Sequence, residues 1–170
     1  MNYDRVVKTI SREITSSAPP VAMIGIGAPG SGKSTLLNAV ASELSVEAIN
    51  LDSIRNSLVA AGVGSGLVDG IQDQLQCEIA ARMNQDKIAL IDSTHCYTED
   101  RLRTVAICRS LGVRTVGAVV LDVPLEMAVL QNAGRAEGRI TVDTIRKMHE
   151  GLRSQPPSAS EGYDWMVRHN

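Results

Sequence analysis

Residues 27–34 read GAPGSGKS and Thr35 follows them, so Gly27, Gly32, Lys33 and Ser34 stand at the spacing of a phosphate-binding P-loop, between an apolar run and a helix-forming run. Each residue type has a task in that chemistry. Gly30 and Gly32, with Ser31 between them, let successive backbone N–H groups converge on phosphate oxygens, and the start of the following helix adds partial positive charge. Lys33 can reach the β- and γ-phosphates, the Ser34 hydroxyl can ligate the magnesium ion that bridges them, and Thr35 can hold the α-phosphate. The expected ligand is ATP, or another NTP, with Mg2+. Gly25, Gly27 and Gly30 also spell GxGxxG, with Asp52 near the place where a dinucleotide fold holds a ribose. Pro29 inside the turn and the otherwise unexplained Lys33–Ser34 pair weigh against that oxidoreductase reading.

Phosphoryl transfer to an alcohol needs a carboxylate to orient and deprotonate the hydroxyl. In EAINLDSIRNS, Asp52 falls just past a strand end with Arg55 three residues on, so both side chains can face one cleft. Asp52 is the candidate base and Arg55 the candidate contact to a phosphate of the acceptor; a helix-capping Asp with a solvated Arg is the alternative. A third apolar run ends in IDSTH, which brings Asp92, Ser93, Thr94 and His95 to the same sheet edge. Asp92 suits the acidic residue that orients magnesium or its waters, or else a structural turn. His95 reads as a hydrogen-bonded loop residue. Further on, QNAGRAEGRI carries Arg135 and Arg139 on either side of Gly138, a lid over residues 134–141 or a pair of exposed helix-end arginines. Lid arginines over a triphosphate are worth roughly 10³–10⁵ in rate, about 4–7 kcal/mol.

The elements that must position these residues alternate. Val6, Val7, Ile10 and Ile14 mark a helix over residues 3–15, broken by SSAPP; residues 1–18 form an N-terminal helix and linker. Strands are expected at 21–26, 46–50, 87–92, 115–123 and 161–169. Helices are expected at 34–44, 52–60, 71–85, 97–112 with Thr98 as N-cap, 124–135 and 142–154, with GVGSGLVDG at 62–70 as a loop. This β/α alternation predicts an α/β fold, the three-layer sandwich of the P-loop NTPases. Its mostly parallel sheet carries helices on both faces and ligands at the carboxyl ends of the strands. Tyr163 and Trp165 are candidates for either core or base stacking.

Composition bounds the rest. With 170 residues the chain fits one domain, 1–170, and with 44% apolar and 21% charged residues it reads as globular, its core aliphatic for want of Phe. A formal net charge of −2 supplies no global basic field, so a nucleic-acid contact would be local and made by a few arginines. Cys77, Cys96 and Cys108 form no CxxC pair, which predicts neither a disulfide framework nor a zinc site and suits a reducing cytoplasm. No apolar run reaches the roughly 18 residues of a membrane span, so no membrane partner is expected. None of these patterns bears on oligomeric state.

Taken together, GAPGSGKST, NLDSIR, IDSTH, LDVP followed by QNAGR, and TVDTIRKM resemble the 5′-polynucleotide kinase family, its phage members and related bacterial end-healing proteins, over nearly the whole chain after residue 20. The resemblance implies that Lys33 and Ser34 serve ATP and magnesium. It makes Asp52 the general base, Arg55 the ligand of the acceptor phosphate, and Arg135 and Arg139 the lid arginines. Either Asp92 or Ser93, with Thr94 beside them, takes the place of the family's acidic acceptor-site residue. His95 stands where Asn is usual, and residues 62–70 are shorter and less charged than in relatives. The implied activity is transfer of the ATP γ-phosphate to the 5′-hydroxyl end of DNA or RNA, with Asp52 assisting in-line attack. A small-molecule P-loop kinase would use the same parts on a nucleoside, an antibiotic or another alcohol. A third reading, a binding module that hydrolyses ATP to switch a partner, leaves Asp52 and Arg55 without a task.

Overall fold

Every residue of Val21–Ile26 (β1) and of Thr115–Leu121 (β4) is buried, as a strand covered on both faces requires. The computed structural model describes residues 3–135 and 138–169. In chain order the elements before β4 are α1 (Asp4–Ser16), β1, α2 (Lys33–Leu44), β2 (Ala48–Asn50), α3 (Leu51–Ala60), α4 (Leu67–Gln85), β3 (Ile88–Asp92) and α5 (Thr98–Ser110). After β4 come α6 (Leu125–Ala133), α7 (Val142–Ser154), a 3₁₀ turn (Ala159–Glu161) and β5 (Trp165–His169). The strands form one sheet in the order β2-β3-β1-β4-β5, and every pairing is parallel. All five strands therefore deliver their carboxyl ends to one edge.

Alternation along the strands divides the core into two layers. Ala22, Ile24, Ala89, Ile91, Val116 and Ala118 face α3, α4, α5 and α7, where they meet Ile54, Leu75, Ile79, Val105, Cys108 and Leu152. Val21, Met23, Leu90, Val119 and Leu121 face the other way, onto Val7, Ile10 and Ile14 of α1 and Leu36, Leu37 and Val40 of α2. This is the three-layer P-loop fold, with a sheet wholly rather than mostly parallel. No helix among the described residues is long and apolar enough to cross a membrane.

Several boundaries differ from expectation for identifiable reasons. Helix α4 starts at Leu67, inside the expected loop, because Gly66 turns the chain at φ 85° and Leu67 packs on the stripe continued by Ile71, Leu75 and Ile79. Thr98 is the first helical residue of α5 rather than its N-cap, which is Tyr97; the Thr98 hydroxyl instead accepts a hydrogen bond from Arg101 Nη2 at 3.0 Å. The last strand begins at Trp165 rather than 161, since the 3₁₀ turn comes first and the Asp164 carboxylate then accepts from the Val116 N–H at 2.7 Å and Arg109 Nη2 at 2.8 Å.

Tyr163 belongs to the core and Trp165 to the opposite layer, its indole N–H donating to Ser17 Oγ at 3.2 Å. Neither is a base-stacking residue. Trp165 lies so close over β4 that a Cβ on Gly117 would come within 2.1 Å of its ring. Gly117→Ala should therefore push β5 outward and destabilise the protein by roughly 1–3 kcal/mol, read as a lower thermal midpoint together with a red shift of the Trp165 emission.

Candidate active site

The turn from β1 into α2 is shaped by contacts that exclude side chains. A Cβ on Gly30 would lie 2.1 Å from the Ala128 carbonyl oxygen, and one on Gly32 would lie 2.2 Å from the Tyr3 hydroxyl; both glycines have positive φ, at 80° and 89°. Helix α2 starts at Lys33 with no side-chain cap, so its first-turn N–H groups face the turn, the arrangement that binds anions at a helix N-terminus. Lys33 is buried, its Nζ donating to the Ala28 carbonyl at 3.1 Å and to Ser31 Oγ at 3.4 Å. Burial holds this ammonium below the ordinary lysine range, while Asp92 and, more weakly, Asp52 oppose the shift.

Two neighbouring strand ends complete the edge. Asn50 and Asp92 are register partners across β2 and β3, and Asn50 Nδ2 donates to Asp92 Oδ2 at 3.1 Å. Asn50 Oδ1 meanwhile accepts the Ser53 N–H at 2.9 Å and so caps α3, the helix that carries Asp52 and Arg55. One amide thus orients a carboxylate and starts the next helix. Asp52 and Arg55 are half to mostly exposed and form an ion pair with each other.

The turn after β3 is tied to the turn after β1. The Gly27 N–H donates to the Thr94 carbonyl at 2.9 Å. His95, at φ 46°, spans from β1 to α5: its Nδ1 lies 3.0 Å from the Gly25 carbonyl oxygen and its Nε2 3.0 Å from Thr104 Oγ1. A carbonyl only accepts, so Nδ1 carries the proton and Nε2 accepts from the threonine hydroxyl. Arg101, fully buried, holds the His95 carbonyl at 3.1 Å and the Gln155 carbonyl at 2.8 Å while gripping Glu161 through Nε at 2.6 Å and Nη2 at 2.7 Å.

Lys33, Ser34, Asp52, Arg55, Asp92, Ser93, Thr94 and Arg135 line one cavity of 80 Å³, together with Pro29, Ile140 and Met148. A second cavity of 210 Å³ continues from it along Gly30, Gly32, Thr35 and Gln131, sharing Lys33, Ser34 and Arg135. Gly27 and Ser31 lie buried beneath these surfaces. Arg139 lines neither cavity and donates from Nε to the Arg135 carbonyl at 2.6 Å. Of the expected lid, residues 136 and 137 lie outside the described residues. Sequence reasoning passed over Asn50, Gln131 and Met148; for Asn50 the signal was present, an Asn three residues before Ser at a helix start. Larger hollows along α1 and between the segment after β4 and α7, of 490 and 640 Å³, contain none of the expected residues.

A family model described as an AAA domain matches residues 23–158. No curated protein sequence matches the chain. Among solved structures, a chain in the Pnkp1/Rnl/Hen1 RNA repair complex is similar at 22% identity and a TM-score of 0.64, covering 84% of this chain and 47% of that one. This chain thus spans about half the length of that relative. A gluconokinase from Sinorhizobium meliloti 1021 matches at 16% identity and a TM-score of 0.57, covering 89% of this chain and 83% of that one. A deoxyadenosine kinase from M. mycoides matches at 12% identity and a TM-score of 0.54, covering 88% and 90%. At these identities the likeness is one of fold.

Burial is the main reason that the His95 imidazole sits at about 4, below its ordinary 6.5, with Lys33 and Arg101 adding to the shift against the bond to Gly25. The unfolded chain therefore binds the extra proton between those values, so stability is at its full level above pH 6.5 and falls as pH drops toward 4. The loss is on the order of 3 kcal/mol. Denaturant midpoints measured across that range should show this slope, and His95→Gln should flatten it. Asn50→Ala removes the α3 cap and a hydrogen bond to buried Asp92, and should lower stability by about 2 kcal/mol in the same measurement.

Proposed function

The chain belongs to the AAA-domain family, and on that premise we propose that it is an ATP-dependent phosphotransferase that phosphorylates the 5′-hydroxyl end of DNA or RNA. The observation that carries this reading is the shared cavity: a lysine at the start of α2, two aspartates from different strand ends, and arginines from α3 and the segment after α6 all line it. A nucleotide-binding switch has no use for the Asp52–Arg55 pair at that place. The acceptor class is supported by the resemblance of NLDSIR and IDSTH to the 5′-polynucleotide kinases and by likeness to a chain of an RNA repair complex.

In this mechanism the backbone N–H groups of residues 30–35 bind the phosphates of ATP along the 210 Å³ cavity, and Lys33 turns its ammonium from Ala28 to the γ-phosphate. Asp52, steered by Arg55, accepts the proton of the attacking 5′-hydroxyl. Arg55 offers its remaining N–H groups to the acceptor's first phosphate. Arg135, shared by both cavities, stabilises charge on the transferring group, with Arg139 in support. The donor set suits magnesium, since Ser34 and Asp92 supply hard oxygens in one cavity and the nucleotide supplies the rest. Bound there, the ion would neutralise phosphate charge. Among the described residues no three His, Cys, Asp or Glu side chains gather into a protein-only metal site, which suits an ion held largely by phosphates. The whole of 1–170 would work as one kinase domain, with residues 134–141 closing as a lid to exclude water.

A second reading, a small-molecule kinase, is favoured by the gluconokinase and the deoxyadenosine kinase, of whose chains the match covers 83% and 90%. Transfer of labelled γ-phosphate from ATP with magnesium separates the two. Oligonucleotides with 5′-OH ends should be labelled by the wild type, and Asp52→Ala should lower kcat by about 10²–10⁴-fold. Label on free nucleosides or sugars, with none on oligonucleotides, would overturn the nucleic-acid assignment in favour of the second reading.

A further inference from the structure

Asn132 stands one turn after Ala128 and Val129 on α6, which pack with Val123, Ile145 and Ile140 in a small apolar cluster. The residue is 5% exposed. A buried amide in such company is unfavourable unless its donor and its acceptor are both met. Here one residue meets both, eight positions along the chain: Nδ2 donates to the Ile140 carbonyl at 2.8 Å, and Oδ1 accepts the Ile140 N–H at 3.1 Å. The side chain thus pairs with the backbone of Ile140 as a neighbouring strand would.

The backbone of the same residue holds the chain at its other end. The Asn132 carbonyl accepts the Arg135 N–H at 3.2 Å. Arg135 in turn accepts Arg139 Nε on its own carbonyl at 2.6 Å. Arg135 is the arginine common to the cavities of 80 and 210 Å³ that the proposed reaction uses, and Ile140 lines the first of them beside it. Asn132 lines neither. Its three hydrogen bonds therefore act on the segment that carries Arg135, at the point where the chain leaves α6 and at the point where it returns. A charged group serving a transition state has to be placed in advance, and a misplacement of about 1 Å can cost on the order of 10²-fold in rate. Arginine is long and rich in rotamers, so the placement depends on where its backbone is held.

We propose that Asn132 is a positioning residue for phosphoryl transfer: by clamping Ile140 and the Arg135 N–H it presents the Arg135 guanidinium to the transferring phosphate. Asn132 touches neither nucleotide nor acceptor and acts through Arg135. The inference rests on the phosphotransferase reading above and is independent of which alcohol takes the phosphate.

The test is a double-mutant cycle between Asn132→Ala and Arg135→Ala. Transfer of labelled γ-phosphate to whichever acceptor the wild type labels gives kcat and KM, at a temperature where all four proteins are folded. Asn132→Ala should lower kcat at least tenfold and leave the acceptor KM within twofold, since the Asp52–Arg55 pair keeps its place. Arg135→Ala should lower kcat by at least as much, and adding Asn132→Ala to it should change kcat less than twofold further. Asn132→Asp has the same size, keeps the bond from the Ile140 N–H and loses the other; it takes the place of Asn132→Ala in the cycle if that variant does not fold. A lower thermal midpoint with kcat unmoved would make the clamp merely structural and overturn the proposal, as would losses in kcat that multiply in the double variant. Non-additive losses measured on a nucleoside or sugar, with no label on oligonucleotides, would uphold the clamp while removing the nucleic-acid acceptor. Absence of transfer by the wild type to any of these alcohols would overturn the clamp and the kinase reading together.

Discussion

Two hydrogen bonds hold the candidate site together: the Gly27 N–H to the Thr94 carbonyl, at 2.9 Å, and His95 Nδ1–H to the Gly25 carbonyl, at 3.0 Å. They join the turns after β1 and β3, neighbouring parallel strands whose ends would otherwise be linked only through the sheet ladder below. One turn carries the glycines and Lys33, the other Asp92, Ser93 and Thr94. Because the bonds run through backbone at three of four ends, the separation of the two turns depends little on rotamers. The one side chain involved is pinned at both ring nitrogens and keeps a single tautomer.

Buried charge is handled in two contrasting ways. Arg101 is closed off: its guanidinium faces Glu161 in a two-bond grip, two backbone carbonyls and the Thr98 hydroxyl. Such full satisfaction offsets the desolvation that makes an unpaired buried cation so unfavourable. It also fastens the turn carrying His95 to the segment after α7. Lys33 is also buried but bonds only to a carbonyl and a hydroxyl, with carboxylates nearby rather than in contact. Its donors can be exchanged for phosphate oxygens without breaking an ion pair, while those of Arg101 cannot.

The local signals that read through from sequence were those of backbone chemistry. Gly30 and Gly32 announced a turn with no room for side chains, and the structure shows the Ala128 carbonyl and the Tyr3 hydroxyl as what fills that room. Apolar runs at β1, β3 and β4 appeared as buried strands because a parallel sheet covered on both faces admits little else. Boundaries were less legible where tertiary contacts override a local preference. Thr98 has the chemistry of an N-cap, yet Arg101 draws its hydroxyl away. Gly66 looks like loop, yet the packing of Leu67 begins a helix on it.

The sequence by itself determined the fold class, the phosphate-binding turn and the identity of the charged residues near it, because glycine conformation and apolar periodicity act over a few residues and are written locally. Only the tertiary structure decided which of those residues share a cavity. Strand order 2-3-1-4-5 sets Asn50 opposite Asp92 and brings Arg135 to Lys33. Arg139 is left outside. The physical reason is range: a hydrogen bond or a cavity wall between residues dozens of positions apart depends on how helices and strands pack, and packing is a property of the whole core.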